Sequence, residues 1–179
     1  GGHTELIKVG QRREMQRLGR SHDDAAGEAF DKGAKILGLG YPGGVKIDQI
    51  SRKGNSNFHK FPVANLGKDS LNFSFSGLKT SLKYFIEKNK DWIENKESIA
   101  ASYQEAIVDS LIEKIILANK IHKTSSILIC GGVACNSRLR DKVIEKFSNN
   151  SKIVIPSLKY CTDNAATVSY THLRAHETR

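Results

Sequence analysis

The chain has 179 residues, 39% of them hydrophobic, with a net charge of +9 and a pI near 9.5. That length suffices for one hydrophobic core, and no window holds the ~20 apolar residues of a membrane-spanning helix. The charge suits a partner rich in phosphate, although the abundant Lys, Asn and Ile of an A/T-rich genome would produce it regardless of function. Three cysteines without a C-x-x-C pair read as reduced thiols in a cytosolic protein, and the first residues lack the pattern of a signal peptide.

Residues 4–9 read as a short strand, and the polar run to Arg20 as a loop or hairpin. Asp23 or Asp24 is placed to cap a helix through Leu37 that stops at Gly38. Tyr41-Pro42-Gly43-Gly44 reads as a tight turn, and residues 51–60 as a polar connection. Phe73 and Phe75 alternate with serine as in a strand, after which Ser76 can cap a helix through Glu87. Ile99, Tyr103, Ala106, Ile107, Leu111, Ile115 and Ala118 recur at helical spacing, which predicts an amphipathic helix packed on a sheet.

The apolar residues 126–130 predict a buried parallel strand. It runs into Gly131-Gly132, where backbone without Cβ can lie against a ligand, and then into a helix capped by Asn136 or Ser137. Most such turns only close a βα unit, so both readings stay open on these residues alone. Leu139, Val143, Ile144 and Phe147 give that helix its core face, and residues 152–156 form another strand. No repeat or low-complexity segment interrupts this α/β order with crossover helices.

Several side chains are chemically suggestive. Asp24, Glu28 and Asp31 stand at i, i+4 and i+7, a solvated face or a set of acceptors for ribose hydroxyls. The Asn136 amide can donate and accept at an adenine or ribose edge, or serve as a plain N-cap. His3 is a phosphate donor or a histidine in solvent. Cys130 and Cys135 lack metal-ligand spacing and read as core thiols.

The blocks Gly1-Gly2-His3-Thr4-Glu5-Leu6, Asp23-Asp24-Ala25-Ala26-Gly27-Glu28-Ala29-Phe30-Asp31-Lys32, Tyr41-Pro42-Gly43-Gly44, Phe73-Ser74-Phe75-Ser76-Gly77-Leu78-Lys79-Thr80, Gly131-Gly132-Val133-Ala134-Cys135-Asn136 and Cys161-Thr162-Asp163-Asn164-Ala165-Ala166 follow one another along the chain. In that order they resemble the tRNA threonylcarbamoyladenosine transferase family, once described as sialoglycoprotein endopeptidases. The resemblance implies a protein roughly twice as long, with two lobes of the actin-like ATPase (ribonuclease H-like) fold. Residues 1–166 would be the C-terminal lobe without its leading strand and without the first lobe. Residues 167–179 depart from the family and read as a run-on.

The resemblance further implies that threonylcarbamoyl adenylate binds between the lobes. The N6 amine of an adenine beside the tRNA anticodon would then take the threonylcarbamoyl group and release AMP. Asp31, Gly44, Asp48 and Asn136 would hold the adenylate, with Gly1 and Gly2 ending a phosphate-facing loop. Val45 stands where the family commonly has proline.

Asp163 would ligate one divalent metal, usually taken to be iron in the family, together with two histidines of an H-x-x-x-H pair in the first lobe. His172 and His176 have that spacing but follow Asp163, in the tail that reads as foreign. The partners implied are tRNA and proteins of a tRNA-modification complex in the cytoplasm. No general base is evident, and the fragment alone is expected to be inactive. The rivals are a metallopeptidase, for which the chain lacks an H-E-x-x-H motif, and a nucleotide-binding assembly module without activity.

Overall fold

The computed structural model describes residues 2–10, 14–148 and 151–161. Strand β1 (Glu5–Val9) pairs antiparallel with β2 (Met15–Arg20), so of the two readings of the run to Arg20, loop or hairpin, the hairpin is formed. Helices α1 (Ala26–Ile36), α2 (Gly43–Ser51), α3 (Ser76–Lys88) and α4 (Lys96–His122) follow. A second pair, β3 (Ser126–Leu128) and β4 (Lys152–Val154), runs parallel across the crossover helix α5 (Ser137–Phe147). The class is mixed α/β, but the described strands form two separate pairs rather than one mixed sheet.

The core is largely helical. α4 is buried almost all round from Ile99 to Ile115, including Tyr103 and Ile107 at 0% exposure, and packs mainly against α1, α2, α3 and α5. A helix buried on nearly every side sits inside a domain, and helices, not the expected sheet, are its principal partners. Tyr103 donates a hydrogen bond to the Ala29 carbonyl at 2.9 Å, which satisfies the one polar group that this packing buries on the ring. α5 turns Leu139, Val143 and Phe147 inward, while Ile144, expected beside them, is 51% exposed.

Two strand expectations change. The Phe73 and Phe75 rings are buried and stacked 6.0 Å apart, as alternation demands, yet the backbone makes only an isolated bridge from Phe73 to Ser21. The segment 126–130 is parallel as expected but not buried: Ile127 points inward, whereas Leu128 is 61% exposed and Cys130 lies at the surface.

The start of α1 is held from elsewhere in the chain. Ala25, not Asp23 or Asp24, is the N-cap residue; the Ala26 amide donates to Thr4 Oγ1 at 2.9 Å, and the Ala25 amide to Glu28 Oε2 at 3.0 Å. The helix stops as expected, with Gly38 at φ +65° just beyond it. Asp24 is ion-paired with Lys32. Asp23 caps α3 instead, accepting from the Phe75 and Ser76 amides at 2.8 and 3.3 Å and from the Ser74 and Ser76 hydroxyls at 2.5 and 2.8 Å.

Burial opposes charge on Asp23, but those four donors outweigh it and hold its carboxyl below the usual range. The stability it contributes is therefore present above the unfolded carboxylate value of about 3.9 and is lost as the pH falls through the lower folded value. Asp23→Ala should cost about 1–2 kcal/mol, the loss of a helix cap. Thermal unfolding at pH 7 and at pH 2–3 checks this, because the gap between parent and variant must narrow in acid.

Candidate functional site

Four of the residues singled out from the sequence come together through the N-termini of α2 and α5. Asp31, in the body of α1, accepts from the Gly43 amide at 2.8 Å and so supplies the first turn of α2 with the acceptor that Pro42 cannot provide. Gly43 and Gly44 are therefore helical residues, not a turn. Five residues further along α2, Asp48 Oδ1 accepts from the amide and hydroxyl of Ser137 at 3.2 and 2.7 Å, and its Oδ2 accepts from Arg52 at 3.1 Å. Asn136 caps α5 by accepting from the Leu139 amide at 3.0 Å, and its Nδ2 donates to Gln104 of α4 at 2.7 Å.

Asp48 and Asn136, 7% and 6% exposed, are thus held by protein partners on their inner sides. Asp31 differs, since its second carboxylate oxygen has no partner among the described residues. The amides of Gly44 and Val45 likewise meet no acceptor there. Unsatisfied amides in the first turn of a helix, with the positive end of its dipole, favour an anion.

The glycines divide by what surrounds them. A Cβ on Gly43 would lie 2.5 Å from the Asp31 Cα and 2.8 Å from the Ala34 Cβ, so Gly43 serves the close approach of α1 and α2. At Gly44 the nearest atom would be the Phe30 Cβ at 3.8 Å, and at Gly131 nothing lies within 4 Å. Gly131 also needs to be glycine for its φ of +88°. Gly2 is open in the same sense, and His3 is exposed.

Arg140 was missed as a determinant of the site. It donates to the Ala134 carbonyl at 2.6 Å and to the Pro156 carbonyl at 2.7 Å, and so ties the 3-10 turn Gly132–Cys135 to the end of β4. Its guanidinium also lies 3.3 Å from the buried Cys161 sulfur. Cys135 is half-buried, and burial followed by neighbouring Cys161 pushes its thiol up, away from a reactive thiolate. A groove of about 1000 Å³ runs between residues 56–68 and α4, past Glu105, Asp109 and Glu113. None of the predicted ligand residues lines it.

Gly1, Asp163, His172 and His176 lie outside the described residues. Among the described residues no three His, Cys, Asp or Glu side chains converge to hold a metal. The described residues thus offer no ligand set against which the expected metal can be fitted.

These features define a mixed α/β domain in which Asp31 meets the N-terminus of α2 and Asp48 the N-terminus of α5. The family described as tRNA N6-adenosine threonylcarbamoyltransferase matches residues 1–170, and the chain belongs to that family. It is 51% identical over 172 residues to a tRNA N6-adenosine threonylcarbamoyltransferase of Thermosipho africanus, covering 94% of this chain and 52% of that protein. Similar proteins of the same name from Thermotoga neapolitana and Clostridium botulinum are 47% and 44% identical; each match covers 94% of this chain and 51% and 50% of the relative. The chain spans about half the length of these curated relatives.

Proposed function

We propose that this chain is the adenylate-holding half of an enzyme that moves a threonylcarbamoyl group from threonylcarbamoyl adenylate to the N6 amine of a tRNA adenine beside the anticodon. The remaining length of its relatives would supply the facing lobe of an actin-like ATPase architecture. The observation that carries the reading is the start of α2, where the Gly44 and Val45 amides and the second Asp31 oxygen have no partner among the described residues. Amides suit the phosphate, and the carboxylate suits ribose hydroxyls.

In the transfer, the amine nitrogen bonds to the carbamoyl carbon, the bond from that carbon to the phosphate oxygen breaks, and AMP leaves. Negative charge grows on the departing phosphate, and preorganised amides at a helix N-terminus stabilise it there. The amine proton leaves to a group not assigned among the described residues. Asp163 is proposed as one ligand of a divalent metal, iron by family resemblance, and no step is routed through it. Protein partners in tRNA modification belong to the same proposal.

The test uses a protein of the relatives' length that carries this chain. Calorimetry with AMP should show Asp31→Ala and Asn136→Ala weakened by about 1–3 kcal/mol each, the cost of one lost partner of a buried ligand group. Parental affinity in both variants removes both residues from the site. Failure of that protein, supplied with divalent metal and its partner proteins, to place labelled threonylcarbamate on tRNA would refute the activity itself.

A further inference from the structure

Away from the glycine turns, the C-terminal end of α3 opens on a second cavity of about 300 Å³. Its walls are aromatic: Phe58, Phe85 and Trp92 line it, and Phe58 is 42% exposed. Its rim is basic and amidic, with Lys88, Lys90, Asn89 and Asn95, and one carboxylate, Asp91. Lys96 stands 5.7 Å over the Trp92 ring. The outward side of α3 leads to this cavity through Tyr84, 59% exposed, and Lys83, whose charge is shared with exposed Glu87 at 3.7 Å.

From this arrangement we infer that the α3 end is an RNA-docking surface, in which an unstacked base enters the aromatic cavity while Lys88 and Lys90 hold the flanking phosphates. Aromatic rings next to lysines, here the exposed Phe58 beside the half-buried Phe85 and Trp92, form the usual platform for single-stranded nucleic acid, because every base has a face to stack and every nucleotide a charge to neutralise. The amides of Asn89 and Asn95 add donors and acceptors for a base edge; the Asn89 Nδ2 already donates to the Phe85 carbonyl, and its oxygen is the acceptor that remains. Asp91 disfavours a second phosphate on its own side and orients the strand towards the two lysines. The inference deepens the tRNA-modifying reading and rests on it for the choice of RNA as occupant.

Trp92 is the only tryptophan in the chain, so its fluorescence reports on this cavity alone. Titrating the 179-residue protein with unmodified tRNA should quench Trp92 as the anisotropy of labelled tRNA rises. Charge reversal in Lys88→Glu/Lys90→Glu should weaken binding at least about tenfold and lower the slope of log affinity against log salt by about 1.4, two single-strand phosphate contacts. Phe58→Ala, which keeps the charge and removes a stacking face, should also weaken binding about tenfold with an unchanged salt slope.

Unfolding curves of both variants matching the parent assign these losses to the surface. An absent quench, parental affinity in both variants, or an equal quench by heparin, a polyanion without bases, overturns the inference. AMP calorimetry on the longer protein separates the two proposals. Adenylate binding with no tRNA effect at Trp92 removes only this surface, and quenching by tRNA with no AMP binding removes only the adenylate site.

Discussion

Glu105→Ala should lower stability by about 1–3 kcal/mol, because it removes the partner of Arg138 and one of the two partners of Lys142. The Arg138 guanidinium grips Glu105 with two hydrogen bonds of 2.7 and 2.8 Å, and Lys142 reaches both Glu105 and Asp109. Lys142 is only 9% exposed, so removing Glu105 leaves a buried ammonium with Asp109 as its remaining partner. Burial by itself would raise the Glu105 carboxyl, yet Arg138 and Lys142 hold it below the ordinary range. Its contribution is thus complete above the unfolded value of about 4.3 and disappears as the pH falls through the lower folded value.

Denaturant unfolding at pH 7 measures the loss, and repeating it near pH 3 should show parent and variant drawing together. A second change distinguishes a stranded charge from a lost contact. Adding Lys142→Met to Glu105→Ala removes the buried ammonium, so the double variant should be more stable than Glu105→Ala alone. A double variant less stable than the single one would mean that packing, not charge, holds the two helices together.

What the sequence made legible was local in origin. The end of α1 at Gly38, the hairpin, and the strand, glycine turn and helix around Gly131 all follow from neighbours within a few positions. Tyr41-Pro42-Gly43-Gly44 carries a turn signal, yet its two glycines begin α2, because the capping acceptor, Asp31, lies 12 residues away. Asp48 was singled out as a ligand residue, but its hold on Ser137 spans 89 residues, and no periodicity reveals such a contact.

Nothing local to Lys142 in the sequence signals that it is buried. Its burial follows from Glu105 and Asp109, an i, i+4 pair on α4 that a single helix cannot explain. The same limit applies to β3, whose apolar residues resemble those of a buried strand although its outer face is open. Hydrophobicity shows what a strand can bury, whereas the neighbours decide what it does bury.

The two glycines at the start of α2 separate fold from function. Gly43→Ala should destabilise the chain by about 1–3 kcal/mol or more, because its methyl would meet backbone at 2.5 Å and the Ala34 methyl at 2.8 Å, neither of which can rotate away. Moving α1 from α2 would also pull Asp31 off the Gly43 amide. Gly44→Ala meets only ordinary contact, at 3.8 Å from Phe30, and in a helix alanine is favoured over glycine by about 1 kcal/mol. This variant should therefore melt at or above the parental temperature. If an adenylate phosphate lies against the Gly44 amide, the new methyl occupies its approach, and AMP affinity in the longer protein should fall about tenfold while the fold gains stability. A variant that is more stable and binds AMP as the parent does would move the ligand away from α2 and leave the Gly131 turn as the remaining place for it.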